Sequence, residues 1–134
     1  MKQTDIIYLA GFIDGEGSIT MIHGINNGYS PFIAITNTNK AIIEWVQKRV
    51  GRGKIHAYEA WKEGQKPYYT WRIYNRQALE LAKELLPYLK IKRVQAQLLI
   101  DYYEGFELNK QNQLANPDSS KIMGKFRALN QRGV

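Results

Sequence analysis

The chain has 134 residues, 44% of them hydrophobic, so it is long and apolar enough to bury a core in one domain over residues 1–134. Its 19 Lys and Arg against 12 Asp and Glu give a formal net charge of +7. This charge favours a nucleic acid partner, although solubility alone would also explain a basic surface. The absence of Cys excludes disulfides and Cys-ligated zinc, and no apolar run approaches the ~20 residues of a membrane span. We therefore expect a soluble intracellular protein without a membrane partner.

The first predicted element is a helix that runs from an N-cap at Thr4 to the glycines Gly15 and Gly17. Its apolar residues cover most of the circumference, which is typical of a helix buried on several sides. Residue periodicity and turn residues predict the later elements. In chain order these are strands at 18–23 and 31–36 around a turn at 24–28, a helix at 40–50, strands at 54–60 and 68–74, and helices at 77–86, 91–108 and, after a polar loop with a cap at Asp118 or Ser119, up to about 130.

The predicted strands come in neighbouring pairs, which indicates an antiparallel sheet covered by helices on one face, an α+β fold. Period-two alternation divides the strand residues between two faces. The apolar face, which we expect to line the core, carries Ile19, Met21, Ile33, Ile35, Ile55, Ala57, Trp71 and Ile73. The opposite face carries Thr20, Ile22, Phe32, Thr36, Lys54, His56, Tyr58, Tyr68, Thr70 and Arg72. Its mixture of aromatic, hydroxyl and basic side chains suits nucleic acid, although an ordinary solvated sheet face is the alternative.

The most informative segment is the nonapeptide at the end of the first helix, Leu9-Ala10-Gly11-Phe12-Ile13-Asp14-Gly15-Glu16-Gly17. It resembles the LAGLIDADG motif, with six of nine positions identical and departures at Phe12, Gly15 and Glu16. Residues 35–39, 51–53 and 86–92 resemble later landmarks of the LAGLIDADG homing endonucleases, so the resemblance covers most of the chain. It implies that family's fold, with the order α-β-β-α-β-β-α, a saddle-shaped antiparallel sheet and C-terminal helices. The core would span about residues 4–108, followed by a polar loop and a basic helix at 109–134.

The small residues Ala10 and Gly11 lie in the middle of the predicted helix, where they would let another backbone come close. A tight contact inside one domain would explain them equally well. The chain has only one such helix, however, so a matching helix would come from a second copy in a two-fold homodimer. The expected interface residues are Leu9, Ala10, Gly11, Ile13 and Asp14. The two-fold axis would bring two Glu16 carboxylates together, and their repulsion would favour a cation between them.

The resemblance implies a metal-dependent active site at the end of this helix. Glu16 matches the motif's metal-binding acid, the Gly15 carbonyl is a further ligand, and the expected ion is Mg²⁺ or Mn²⁺. Lys92 matches a basic residue beside the family's active site, where it would stabilise the transition state or lower the pKa of the attacking water. Asn37 falls where the family has a polar residue that orders water, and Lys40 is a further candidate base. No organic cofactor is expected, because the two helix-end glycines lack the context of a nucleotide-binding fingerprint.

The resemblance implies an endonuclease encoded within an intron or intein. Together with these residues, it predicts cuts in both strands of a long pseudo-palindromic site in double-stranded DNA by a homodimer. The predicted DNA-binding residues are Thr20, Ile22, Asn26, Asn27, Tyr29, Ser30, Lys54, His56, Tyr58, Lys62, Lys66, Tyr68, Thr70 and Arg72. Two alternatives remain open. One is a catalytically idle DNA- or RNA-binding protein of the same fold, such as a maturase or regulator. The other is a basic structural domain that dimerises through its first helix. The intact Glu16 and Lys92 favour the enzyme over the idle binding protein, whereas the structural domain predicts no salt-sensitive DNA affinity.

Overall fold

The computed structural model describes residues 1–23, 29–60, 62–104 and 120–130. In chain order its elements are α1 (Gln3–Glu16), β1 (Gly17–His23), β2 (Tyr29–Asn37), α2 (Lys40–Val50), β3 (Lys54–Tyr58), β4 (Tyr68–Tyr74), α3 (Asn75–Leu85), a 3-10 turn (Leu86–Tyr88), α4 (Arg93–Tyr103) and α5 (Ser120–Asn130). The predicted turn at 24–28, with Asn26 and Asn27, lies outside the described residues, as does the predicted cap at Asp118 or Ser119.

Four strands of the described chain form one antiparallel sheet in the order β1-β2-β4-β3. In this register Ile33 of β2 lies opposite both Ile19 of β1 and Ile73 of β4, and Ile35 lies opposite Trp71. All five side chains are fully buried and lie on one face, because residues two apart on a strand point the same way. The helices pack on that face. The predicted α+β fold with an antiparallel sheet is confirmed.

Some helix boundaries differ from those predicted from the sequence. α1 begins at Gln3 after an extended Lys2, and no side chain caps it, so the predicted cap at Thr4 is wrong. α4 begins at Arg93 rather than at 91, because the backbone N–H groups just before it donate to the side chain of Asp14. It ends at Tyr103 rather than at 108, because the next residue is extended.

The connection between α2 and β3 is held against a buried tryptophan. Gly51 ends α2 in the left-handed conformation, with φ 75°, and Gly53 has φ 91°. A Cβ on Gly53 would lie 2.6 Å from Nε1 of Trp71, so only glycine fits there. Nε1 of Trp71 donates to the Arg52 carbonyl at 3.0 Å, and Nε2 of Gln47 donates to the Gly53 carbonyl at 2.9 Å. The backbone of this connection is therefore fixed from two sides.

The C-terminal helices complete the core beside β1. The buried Tyr103 of α4 donates from its hydroxyl to the Tyr29 carbonyl at 2.7 Å. Burial raises the pKa of Tyr103 well above its ordinary value, so the hydroxyl keeps its proton as a donor. Phe126 of α5 is fully buried in the same cluster, and the Asn130 amide donates to a carbonyl of β1 at 3.3 Å. None of the helices described above is long and apolar enough to cross a membrane.

Candidate functional site

The side chain of Asp14 joins the end of α1 to the segment that precedes α4. Its Oδ2 accepts from the Lys90 N–H at 2.8 Å, and its Oδ1 accepts from the N–H groups of Ile91 at 3.1 Å and Lys92 at 2.9 Å. The carboxylate is only 8% exposed. A buried carboxylate with three N–H donors has its charge well compensated, so this contact fixes residues 90–92 against α1. We call it the Asp14 clamp.

The clamp places Lys92 at the C-terminal end of α1. Nζ of Lys92 donates to the backbone carbonyl of Asp14 at 2.8 Å. The helix end is a favourable place for a cation, because the last carbonyls of a helix carry partial negative charge. Lys92 follows Glu16 by 76 positions in the sequence. In the structure it nevertheless contacts the carbonyl of Asp14, two residues before Glu16.

Glu16 and Gly15 are the last residues of α1, and both are exposed. In the described part of the chain no hydrogen bond or ion pair engages the Glu16 carboxylate. The chain enters β1 directly after it, with the Gly17 N–H donating to the Ile13 carbonyl. Glu16 is thus an exposed carboxylate at the junction of α1 and β1, two residues after the carbonyl that Lys92 contacts.

The other two predicted catalytic residues differ in their placement. Asn37 lies two residues beyond Ile35 on β2, and Ile35 pairs with Gly17, so Asn37 lies at the same end of the sheet as Glu16. Its Oδ1 accepts from the Asn39 N–H at 2.8 Å. Lys40 has its contacts elsewhere: Nζ lies 3.7 Å from Glu44 and 5.8 Å from the centre of a tyrosine ring of β4. Asn37 thus lies near the helix end, whereas the contacts of Lys40 are along α2 and β4.

One protomer offers few ligands for a metal ion. Among the described residues, no three His, Cys, Asp or Glu side chains converge. Both oxygens of Asp14 are used by backbone donors, so Glu16 is the free acid at the end of α1, beside the Gly15 carbonyl. A carboxylate with a backbone carbonyl fits Mg²⁺, which binds through one or two carboxylates and keeps several waters. An Mg²⁺ site at this helix end would require a second carboxylate or a substrate oxygen from outside this chain.

The face of the sheet opposite the helices, here called the outer sheet face, carries most of the predicted DNA-binding residues. The strand register places on it Thr20, Ile22, Ser30, Lys54, His56, Tyr58, Tyr68, Thr70 and Arg72. Arg72 donates to the Tyr58 hydroxyl at 2.7 Å, and the Tyr58 ring stacks on Tyr68 with a centroid distance of 4.7 Å. The Thr36 and Thr70 hydroxyls are hydrogen-bonded at 2.8 Å. These contacts hold the outer sheet face in one arrangement.

Some predicted DNA-binding residues are less accessible than expected. Tyr29 pairs with His23, so it lies on the helix-covered face with Ile19 and Met21 rather than on the outer sheet face. Its ring packs edge-on against His23 at 5.3 Å. Ser30 and Thr70 lie on the outer sheet face, but they are only 7% and 4% exposed. The predicted Lys62 and Lys66 are exposed in the connection between β3 and β4.

The predicted dimer interface requires correction, because most of its side chains are buried inside one protomer. Leu9, Ala10 and Ile13 have 0% exposure, and Asp14 forms the clamp. Only Gly11 of the predicted set is exposed, and a Cβ built on it would meet nothing within 4 Å. The interface could not be predicted correctly because α1 is apolar on all sides, so the sequence pattern does not show which side faces outward.

The exposed stripe of α1 is apolar and was missed in the sequence. Ile7 is 48% exposed and Tyr8 is 56% exposed, and Gly11 and Gly15 continue the same face toward the helix end. Residues 7, 11 and 15 are four apart and align on one side of the helix, but the other sides are similarly apolar, so this spacing alone does not single out the stripe. Two further exposed apolar side chains, Ile91 at 70% and Val94 at 60%, lie just beyond the clamp.

A family model described as LAGLIDADG endonuclease matches residues 9–109. A comparison with curated proteins gave no match. The solved structure of the archaeal intron-encoded homing endonuclease I-Vdi141I, complexed with DNA, superposes with a TM-score of 0.70 at 18% identity, covering 100% of this chain and 89% of that one.

Two further solved structures are similar. The homing endonuclease I-CvuI, in complex with the I-CreI target in the presence of Mg, gives a TM-score of 0.69 at 20% identity, covering 98% of this chain and 85% of that one. In another I-CvuI complex, with Ca, the match spans 65% of that chain. The LAGLIDADG meganuclease I-AabMI bound to uncleaved DNA gives 0.55 at 27% identity, covering 70% of this chain and 34% of that one. The two likenesses at 18% and 20% identity show a shared fold.

Proposed function

Because the chain belongs to the LAGLIDADG endonuclease family, we propose that it is a homing endonuclease that cuts both strands of a long pseudo-palindromic DNA site as a homodimer. The single observation that carries this proposal is the junction at the end of α1. There the exposed Glu16 lies two residues from the Asp14 carbonyl, to which the Lys92 ammonium donates a 2.8 Å hydrogen bond. A protein that only binds DNA needs neither group in that arrangement.

The exposed stripe of α1 supports the homodimer. Ile7 and Tyr8 expose apolar surface, and Gly11 and Gly15 leave room for close approach of a second helix. A two-fold axis along this stripe pairs each residue with its own copy, so the two helix ends and both Glu16 carboxylates come together. The second carboxylate that one protomer lacks is thereby supplied by the other.

Glu16 and the Gly15 carbonyl would hold Mg²⁺ at this axis, together with phosphate oxygens and water. Bound there, the ion would activate the attacking water and offset charge on the leaving oxygen. Lys92 contributes a fixed positive charge next to the scissile phosphate, where negative charge grows in the transition state. The Asp14 clamp removes the conformational freedom that a lysine in a loop would otherwise lose on reaching this position.

DNA would lie across the outer sheet face, with one half-site for each protomer. His56 and Arg72 project hydrogen-bonding groups from neighbouring strands, and Ile22 offers apolar contact for a thymine methyl group. The net charge of +7 would favour association with the duplex and make binding strongly dependent on salt. Each protomer would read one half-site, so specificity would depend on both protomers together.

The decisive experiment selects cleaved molecules from a randomised duplex pool with Mg²⁺ present. We expect cuts in both strands at sites with two-fold symmetry, and no cuts when EDTA removes the metal. Binding to DNA without any cleavage would refute the enzyme and leave the idle DNA-binding alternative.

Two variants then test the residues on the selected site. Glu16→Gln should abolish cleavage and keep DNA binding, whereas Glu84→Gln, an exposed acid on α3, should cut normally. Lys92→Ala should lower the single-turnover rate by about a hundredfold or more, with little loss of affinity. The control Lys83→Ala removes an equally charged, exposed side chain on α3. Equal losses of rate and affinity in Lys92→Ala would make this residue a simple phosphate contact.

A further inference from the structure

A recessed pocket with basic walls lies where β3 begins and where β4 passes into α3. Its volume is about 550 Å³, enough for a phosphate group and its first waters. The pocket, here called the basic pocket, is lined by Arg52, Gly53, Lys54, Arg72, Ile73, Tyr74, Asn75, Arg76, Gln77 and Glu80. Four of these side chains are cationic and one is anionic. The pocket therefore carries a positive charge that its own acid does not balance.

Two of the arginines are held in place by one acid. Nη1 of Arg52 lies 2.7 Å from Oε2 of Glu80, and Nε of Arg76 lies 3.2 Å from Oε1 of the same carboxylate. The hydrogen bond from Arg52 lowers the pKa of Glu80, so this carboxylate stays ionised at neutral pH. Each contact uses one donor nitrogen of a guanidinium group that carries five N–H donors. Most donors of both groups remain for a ligand.

The backbone at Arg52 is also fixed, which is unusual for a surface arginine. Its carbonyl accepts from the buried Trp71 indole, and the next residue is the glycine that fits only against that indole. The Arg52 side chain is 32% exposed, so it is restrained without being removed from solvent. A donor group ordered before binding loses less entropy when a ligand arrives.

The basic pocket continues the outer sheet face. Lys54 and Arg72 belong to both, because they are paired in register on the neighbouring strands β3 and β4. A ligand that lies along the outer sheet face therefore passes the mouth of the pocket. The edge of a base pair is recessed in a groove of the duplex, whereas phosphates project outward from it, so a phosphate is the part of DNA that can enter a pocket.

We propose that the basic pocket binds one backbone phosphate of the DNA through Arg52 and Arg76, and so anchors the duplex beside each half-site. The inference rests on the proposed function, since it takes DNA as the ligand of the outer sheet face. Guanidinium groups match phosphate geometry with paired N–H donors, which a lysine cannot do. The pocket contributes affinity and fixes the position of the duplex, and it does not read its sequence.

The test compares an Arg52→Gln and Arg76→Gln double variant with Lys83→Gln, which removes an exposed charge on α3 outside the pocket. Affinity is measured between about 50 and 200 mM salt, on the selected site and on a random duplex. We expect about tenfold weaker binding for each arginine, by the same factor on both duplexes. The slope of log affinity against log salt should fall by about one in the double variant, because one phosphate contact is lost. Arg76→Lys keeps the charge and should keep the slope.

A second measurement identifies the phosphate. Duplexes carrying one neutral methylphosphonate at each position are bound to the wild-type protein and to the double variant. We expect one position at which neutralisation weakens the wild-type complex and leaves the variant unchanged. Thermal unfolding of each variant checks that the fold is kept. The single variant Arg76→Gln is a further check, because it leaves the better-anchored Arg52 in place.

Several outcomes would overturn the proposal. A double variant with the affinity and salt slope of Lys83→Gln would show that the pocket takes no phosphate of the DNA. Loss on the selected site alone would show that these arginines read bases. Tight binding of inorganic phosphate to the DNA-free protein, without any coupled position in the duplex, would assign the pocket to a free phosphate ligand. If the wild-type protein cuts its site normally, these failures leave the proposed function intact; if it binds no DNA, both fall.

Discussion

The Asp14 clamp gives the sharpest prediction, because one side chain supports both the fold and the candidate site. In an Asp14→Asn variant the amide oxygen can keep the two bonds now made to Oδ1, but as neutral bonds that are each weaker by about 1 kcal/mol. The amide nitrogen then occupies the Oδ2 position, 2.8 Å from the Lys90 N–H, where one donor faces another. The lost bond to that buried donor adds about 1.5–3 kcal/mol to the roughly 2 kcal/mol from the two weakened bonds, so we expect a total loss of about 3.5–5 kcal/mol.

A loss of this size is a large part of the stability of an ordinary domain, which is about 5–15 kcal/mol. For a chain of 134 residues it corresponds to a fall in melting temperature of about 10–20 °C. The matched control is Asp101→Asn on α4, whose carboxylate is exposed and accepts one bond from Gln97 at 2.7 Å. That variant should change stability by less than about 0.5 kcal/mol.

The assay is thermal unfolding followed by circular dichroism, with urea titration to obtain the free energy of unfolding. An Asp14→Asn protein that melts within about 3 °C of Asp101→Asn would refute the clamp as a stabilising contact. At temperatures where Asp14→Asn stays folded, it should also cut DNA poorly, because residues 90–92 no longer hold the Lys92 ammonium at the helix end. Normal cleavage by the folded variant would show that Lys92 is positioned by other contacts.

Three more predictions concern single positions. Gly53→Ala should cost about 2–4 kcal/mol in urea unfolding, since it adds both left-handed strain and a clash with a buried indole, whereas Gly64→Ala, with φ 83° and open space, should cost only about 1 kcal/mol. Equal costs would contradict the clash. Gly11→Leu should leave the fold intact, because nothing lies within 4 Å of its Cβ, and should sediment as a monomer; a stable dimer would refute the α1 interface. The pKa of Glu80 is lowered from 4.5 in the folded state, chiefly by the Arg52 hydrogen bond. The ionised Glu80 therefore stabilises the folded protein fully at a pH above 4.5, and this contribution is lost as the pH falls through the lower pKa of the folded state. The Glu80→Gln variant should consequently lose less free energy of unfolding on acidification than the wild-type protein.

The sequence analysis was correct for features that depend on residues close together in the chain. The bounds of α2 and β4 agree with the pattern of residues 40–50 and 68–74, because helical periodicity and period-two alternation come from chain geometry alone. The nonapeptide at 9–17 identified the family, and that prediction is confirmed by the family model over residues 9–109. Dimerisation, metal binding and the catalytic roles stay predictions.

What the sequence determined by itself was the order of elements, the face of each strand that joins the core, and the acidic helix end. The tertiary structure decided which side of α1 faces outward. A helix that is apolar on all sides has no preferred orientation in the sequence, and only the packing of its neighbours determines which side stays exposed. The tertiary structure also decided that Lys92 reaches the Asp14 carbonyl, near the helix end that carries Glu16, and that Arg52 meets Glu80. The residues of each pair lie far apart along the chain. A local pattern of residues cannot show which distant backbone N–H groups will donate to a buried carboxylate such as that of Asp14.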